Sequence, residues 1–226
     1  MKILFIDEHI IVCDKQAGEL SEGEGRNALP TRISERLADI GEKNTQVLTV
    51  HRLDKETSGV IVFARDSASA AALCKSIQDG SFKKQYLAVL TGIPERESDT
   101  LRDLLFYDRK RGKSFVVDRK RAGVKQAELD YTVLCHTDDL ALVSVTLRTG
   151  RTHQIRVQFA SRTLPLVGDR RYGAPRSDAP SVALVSCKLS FPHPSSKERL
   201  EFTANVPNAF PWLLFVGKFN KTLDNM

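Results

Sequence analysis

Cysteine is scarce in this 226-residue chain, and Cys13, Cys74, Cys135 and Cys187 stand singly, without a C-x-x-C pair. That excludes a disulfide frame and a zinc ribbon, and it suits buried thiols in a reducing compartment. His9, His51, His136, His153 and His193 are dispersed, so the expected metal content is none. No apolar run approaches the length needed to span a bilayer. The opening residues 1–6 are too short for a secretory h-region and meet Asp7 and Glu8 at once, so the expectation is a cytoplasmic protein without a membrane partner. Internal repeats and separating linkers are also lacking. One domain over residues 1–226, built of two closely joined lobes, is therefore predicted, with a frayed tail after about residue 218.

What is present is ordinary in amount: 41% hydrophobic and 27% charged residues, with a net charge of +6. The distribution of charge says more. Arg109, Lys110, Arg111 and Lys113 cluster, and Arg119, Lys120 and Arg121 repeat the pattern beyond Phe115, Val116 and Val117. In a hairpin, two basic ends would flank an apolar waist and suit a phosphate backbone, although solvated surface charge is the commoner meaning of any one such run.

Along the chain, residues 3–6 and 10–13 read as a hairpin around Asp7-Glu8-His9. Gly23-x-Gly25-x-x-Ala28 imitates a dinucleotide fingerprint but lacks the buried strand that must precede it. Pro30 starts a helix with Ile33, Leu37 and Ile40 on one face, and Gly41 ends it. Ser67 is the expected N-cap of a second helix that Gly80 closes. Residues 83–90 form a strand with Tyr86, Ala88 and Leu90 on one face, where a core tyrosine is the commoner outcome. Strands follow over 127–135, 140–147, 182–191 and 200–204, and residues 211–216 form a last apolar helix with Trp212 in the core.

Two stretches carry chemistry. In VLTVHRLDKETSGVIVFARD, residues 47–66, a polar loop over 51–59 lies between two β-branched runs that hold it at both ends. An arginine near a carboxylate favours its ionised form, which a nucleophile or base needs, and Arg52 and Asp54 occupy one turn. On spacing alone an Asx turn, with Asp54 capping Glu56 or Thr57, is the commoner arrangement. In LRTGRTHQIRVQFAS, residues 147–161, Gly150 bends the chain, and a short helix begins near Thr152 with Ile155 and Phe159 on one face. Arg148, Arg151 and Arg156 make this corner cationic. It suits phosphate, a carboxylate from elsewhere in the fold, or a structural salt bridge about equally.

Together, HRLDKETSG at 51–59 and TGRTHQIR at 149–156 resemble the RluA family of RNA pseudouridine synthases. KKQYLAVLTG at 83–92, LVGDRRYG at 166–173 and LSFPHP at 189–194 fall in the matching order, and ILFIDEHIIVCDKQAG is similar to the family's start, so the resemblance runs over about residues 3–207. It implies an α+β pseudouridine synthase fold, a largely antiparallel mixed sheet with flanking helices and a central catalytic cleft. It implies isomerisation of uridine in RNA without a cofactor: the C1′–N1 bond breaks, the uracil turns, and C5 joins C1′. Asp54 matches the catalytic aspartate, Tyr86 the tyrosine against the uracil ring, and Arg156 the arginine paired with the aspartate. Arg52 matches the residue that fills the gap left by the flipped nucleotide, and Ile155 the aliphatic residue beside the base. His51, Arg151 and Thr152 complete the substrate-binding set, with Arg109, Lys110, Arg119 and Lys120 on the RNA backbone.

The implied partner is a structured RNA, a tRNA or rRNA stem-loop, met by a monomer without an obligate protein partner. The chain opens directly on the family's first block, so a stand-alone catalytic domain without an S4-type module is expected. Gln16, Leu129, Leu164 and Val185 depart from the family pattern at positions outside the proposed chemistry. Two rivals remain: an RNA-binding or folding factor that keeps the fold without turnover, and a glycosidase using Asp54 with Glu56.

Overall fold

The chain opens on an antiparallel hairpin, β1 (Lys2–Ile6) and β2 (Ile10–Lys15). Its turn is tight because one Asp7 carboxylate oxygen accepts the amides of His9 and Ile10 at 2.7 and 2.8 Å. This is a computed structural model, and residues 1–216 are described; the tail expected to fray lies outside the described residues. They divide into two compact units. The first joins Met1–Lys84 to Val185–Asn205, and the second takes Gln85–Leu184 with residues 206–216.

In the first unit, α1 (Leu29–Asp39) carries Pro30 in its first turn, where a missing amide proton costs nothing. Leu29, Ile33 and Leu37 are buried, but Ile40 is 57% exposed. The helix ends there, one residue before the i+3 face would have returned it to the core. β3 (Leu48–Thr49) and β4 (Ser58–Ala64) bracket the Asp54 loop, and β3 pairs antiparallel with β4. The cap of α2 (Ser67–Gln78) is Asp66 rather than Ser67. Asp66 has the extended backbone of an N-cap, and its carboxylate takes the Ser69 amide at 2.7 Å and the Ser69 hydroxyl at 2.5 Å.

The second unit begins on β5 (Lys83–Thr91) and continues with β6 (Ser98–Asp108), β7 (Lys113–Val117), β8 (Val124–His136) and β9 (Leu140–Leu147). All pair antiparallel, in the order β5-β9-β8-β6-β7, so β7 ends the row. Helix α3 (Gln154–Ala160) packs Val157 with Leu105, Ala127 and Tyr172, and Phe159 meets the Tyr131 ring at 5.4 Å. A 3-10 turn, Arg170–Tyr172, follows. The last apolar segment is also a 3-10 turn, Trp212–Phe215, with Trp212 buried.

The chain then supplies the first unit with β10 (Leu184–Pro192) and β11 (Arg199–Thr203), an antiparallel pair. β10 runs parallel to β4, which makes this sheet mixed, in the order β1-β2-β4-β10. Gly59 permits the parallel contact: its φ is +112°, and a Cβ would lie 2.3 Å from the Ser186 carbonyl oxygen. The core beneath is Ile10, Val12, Val60, Val62, Ala64, Leu73, Phe82, Leu189 and Phe191. Each such large side chain contributes roughly 1.5–3 kcal/mol on burial. Cys13 and Cys187 are buried free thiols, pushed up to about 12 by burial, whereas Cys74 and Cys135 are only half-buried.

Candidate active site

In the first unit the loop after β3 is fastened through its backbone. Lys15, fully buried at the end of β2, donates from Nζ to the carbonyl oxygens of Asp54, Lys55 and Thr57 at 3.1, 3.2 and 2.6 Å. Burial lowers its pKa to about 8, against the pull of Glu19, Asp54 and Glu56. Ser21 takes Leu53 at both ends, accepting its amide at 3.0 Å and donating to its carbonyl at 2.9 Å. The Thr57 amide donates to the backbone carbonyl of Asp54 at 3.0 Å, which closes the turn.

The side chains around this frame alternate. Arg52 is exposed, Leu53 buried and Asp54 half-buried. Arg52 pairs with Glu22, with both side chains more than half exposed, and such a pair contributes only ~0–1 kcal/mol and is readily exchanged. His51, expected at the substrate, is packed in the core of its unit. Its ring meets Phe82 edge-on at 5.2 Å, and its Nε2 accepts the Val62 amide at 3.2 Å. Burial, with Lys84 as a smaller cause, lowers its pKa to about 3, so the imidazole is neutral with its proton on Nδ1.

In the second unit Tyr86 is a buried residue of β5 and lies opposite Val145 of β9. Ile155 and Arg156 open α3, and both are buried. The Arg156 guanidinium is held bidentately by Asp169: Nε to Oδ2 at 2.6 Å and Nη2 to Oδ1 at 2.8 Å, with Asp169 itself 1% exposed. The Tyr172 ring lies 5.2 Å from the same guanidinium. A carboxylate from elsewhere in the fold was one of the partners this corner suited.

The remaining arginines of the corner have structural partners. Arg148 pairs with Asp130 at 2.7 Å and Glu128 at 3.2 Å, and Arg151 Nε donates to the Gln126 carbonyl at 2.9 Å. The left-handed residue here is His153, with φ 56°, which places Gln154 to accept from the Arg151 amide at 3.0 Å and from the Thr149 hydroxyl at 2.7 Å. The Thr152 carbonyl accepts the Ser114 hydroxyl at 2.6 Å. The sequence assigns no role to Lys15 or Ser21, and it marks Asp169 and Tyr172 only as turn residues of the block LVGDRRYG. A lone lysine closing the apolar run IIVCDK, and the buried pair in LVGDRRYG, were the available signals.

The basic segment is a hairpin as drawn from the sequence, with β6 and β7 antiparallel. Arg109, Lys110 and Arg111 are exposed at the turn into β7, and Arg119, Lys120 and Arg121 are exposed beyond its far end. A strand of this length separates the two clusters by about 17 Å. Among the described residues no cluster of His, Cys, Asp or Glu is arranged to hold a metal, and no helix is long and apolar enough to cross a membrane.

A family model described as RNA pseudouridylate synthase matches residues 9–161. The uncharacterized RNA pseudouridine synthase YjbO of Bacillus subtilis is 32% identical over 211 residues, which cover 92% of this chain and 73% of that protein. The ribosomal large subunit pseudouridine synthase D of Zymomonas mobilis is 30% identical over 223 residues, covering 92% and 69%. The solved human RNA pseudouridylate synthase domain containing 4 shares the fold, with a TM-score of 0.77 at 23% identity over 97% of this chain and 92% of that one. The chain belongs to the RNA pseudouridylate synthase family. Within it, the protein is an isomerase that acts on RNA, and its α+β architecture is the pseudouridine synthase fold.

Proposed function

We propose that this enzyme isomerises uridine in a tRNA or rRNA stem-loop, with Asp54 as the reacting carboxylate, either at C1′ or as a base at the 2′ position. The observation that carries the reading is the fastening of the Asp54 turn: three contacts from one buried ammonium, to the carbonyls of Asp54, Lys55 and Thr57, fix the backbone beneath the half-buried Asp54 side chain. Positioning of this kind is where much of an enzyme's rate advantage arises. In this reading Tyr86 stands against the uracil with Ile155 beside it, and Arg156 is the catalytic cation. Arg52 fills the space of the flipped nucleotide, since a stacked base is out of reach and extruding it costs a few kcal/mol. Its exposed pair with Glu22 is weak enough to be given up for a stacking role, which a planar guanidinium performs and lysine does not.

The reaction returns every atom it removes, except that the proton on C5 is exchanged for one on N1. Tritium release from 5-³H-uridine-labelled total RNA, taken from a strain lacking the gene, therefore reads turnover directly. Release by the wild type and none by Asp54→Ala is expected. Tight RNA binding without release from either would establish a non-catalytic RNA factor, and free uracil among the products a glycosidase.

The hairpin residues Arg109, Lys110, Arg119 and Lys120 contact phosphates in this reading. Neutralising all four weakens RNA binding and flattens its salt dependence; unchanged binding would remove them from the interface. We further infer a monomer working in the cytoplasm, consistent with four free cysteines, and size-exclusion chromatography with cell fractionation tests both.

A further inference from the structure

Arg156 is held from two positions of one short turn, and one of those positions also holds the basic hairpin. The turn is reached through Gly168, whose φ is +81° and where a Cβ would lie 2.4 Å from the Ser181 carbonyl oxygen. Only glycine brings the chain that close. Asp169 precedes the 3-10 turn Arg170–Tyr172, and the Tyr172 amide closes back on its carbonyl at 3.0 Å, which keeps the two residues together. Asp169 takes one edge of the guanidinium in its fork, and the Tyr172 ring supports it at 5.2 Å.

Tyr172 has a second set of contacts. Its hydroxyl accepts the Ser114 amide at 2.9 Å and lies within hydrogen-bond distance of His153 Nδ1, at 2.9 Å. Burial holds the phenol protonated, with its pKa pushed up to about 12. Lys113 Nζ lies 4.8 Å from the ring centroid. Lys113 and Ser114 begin β7, directly after the turn that carries Arg109, Lys110 and Arg111. The Ser114 hydroxyl in turn donates to Thr152, just ahead of α3. One side chain thus fastens the start of β7 and the start of α3 while supporting Arg156. Packing against Leu105, Ala127 and Val157 would need no hydroxyl.

We propose that Tyr172 is a positioning residue that couples RNA contact by the hairpin to the orientation of Arg156. The inference rests on the roles given above to that hairpin and to Arg156. The hydroxyl serves binding, because it fixes the hairpin. The ring serves the chemical step, because it fixes the guanidinium.

Tyr172→Phe and Tyr172→Leu separate the two halves. Tritium release is followed against the concentration of the labelled total RNA, with filter binding of the same RNA across a salt series and thermal melting of each variant. Tyr172→Phe keeps the ring: the expected result is an apparent KM raised about 5- to 10-fold with kcat within about twofold of wild type. Tyr172→Leu loses the ring, and kcat falls in addition by about 30-fold or more at temperatures where melting shows it folded. The proposal is overturned if Phe matches wild type in KM and binding, or if both variants lose kcat only in proportion to their loss of folded protein. Absence of release by the wild type would refute the synthase reading instead. The binding arm then still decides the hairpin half: weaker binding by Tyr172→Phe supports it, and unchanged binding ends it.

Discussion

The two units hold their key residues by opposite means. The first grips a backbone: Lys15 and Ser21 engage carbonyls and amides of residues 53–57, and the identity of the gripped side chains is immaterial. The second grips a side chain, with Asp169 and Tyr172 closing on the Arg156 guanidinium. The main-chain grip orders the Asp54 turn whatever side chain stands there. The side-chain grip depends on the guanidinium it closes on. The comparison teaches that main-chain and side-chain contacts can each order a residue, and that only the second is tied to residue type.

The clamp breaks most severely at Asp169. Asp169→Asn removes the carboxylate that forks the buried Arg156 guanidinium, and a loss of about 3–5 kcal/mol in chemical denaturation is expected, with turnover lost as well. Arg156→Met with Asp169→Leu should recover much of that stability and none of the tritium release. Recovery of both would remove Arg156 from the chemistry.

Acid tests the first unit next, through His51. Its folded pKa, about 3, lies below the ordinary 6.5, so between those values the unfolded chain binds a proton that the folded chain refuses. The associated stability is complete above pH 6.5 and is lost as pH falls toward 3, about 5 kcal/mol in all and about 3 kcal/mol of it by pH 4. Urea midpoints taken from pH 7 to pH 4 should show this limb, and His51→Phe should flatten it.

Lys15→Met strikes the backbone grip itself. Buried carbonyls lose their donor, at about 2–3 kcal/mol, and tritium release falls by at least about tenfold in protein shown to be folded. An unchanged rate would mean that the loop holds its form without the lysine. The smallest effect belongs to the exposed pair: Glu22→Gln should move stability by no more than about 0.5 kcal/mol, and RNA binding should tighten if Arg52 leaves Glu22 to engage RNA.

Much of the fold was legible. The opening hairpin, the loop bracketed by β-branched runs, the strands after residue 83 and the closing pair all fall near their observed bounds, because their apolar periods are clean and turn residues punctuate them. The errors are at ends. Ser67 and Asp66 are both capping types, and only the backbone geometry at Asp66 selects between them. Ile40 has the right spacing but follows the last helical turn. Residue type alone suits an Asx turn at Asp54, and the structure adds a bond that residue type does not specify, from the Thr57 amide to the backbone carbonyl of Asp54, a partner that every residue carries.

The sequence by itself determined the family, through ordered blocks whose residue types and spacing are specific, and with it the identities of Asp54, Tyr86 and Arg156 as the residues to examine. It also placed opposing basic clusters at the two ends of β7. Only the tertiary structure decided what holds them. Lys15 reaches Thr57 across 42 residues, and it does so through carbonyl oxygens that no motif can spell. Asp169 and Tyr172 meet Arg156 because a glycine-permitted approach and a closed turn bring them together, and that alignment exists only once the chain has packed.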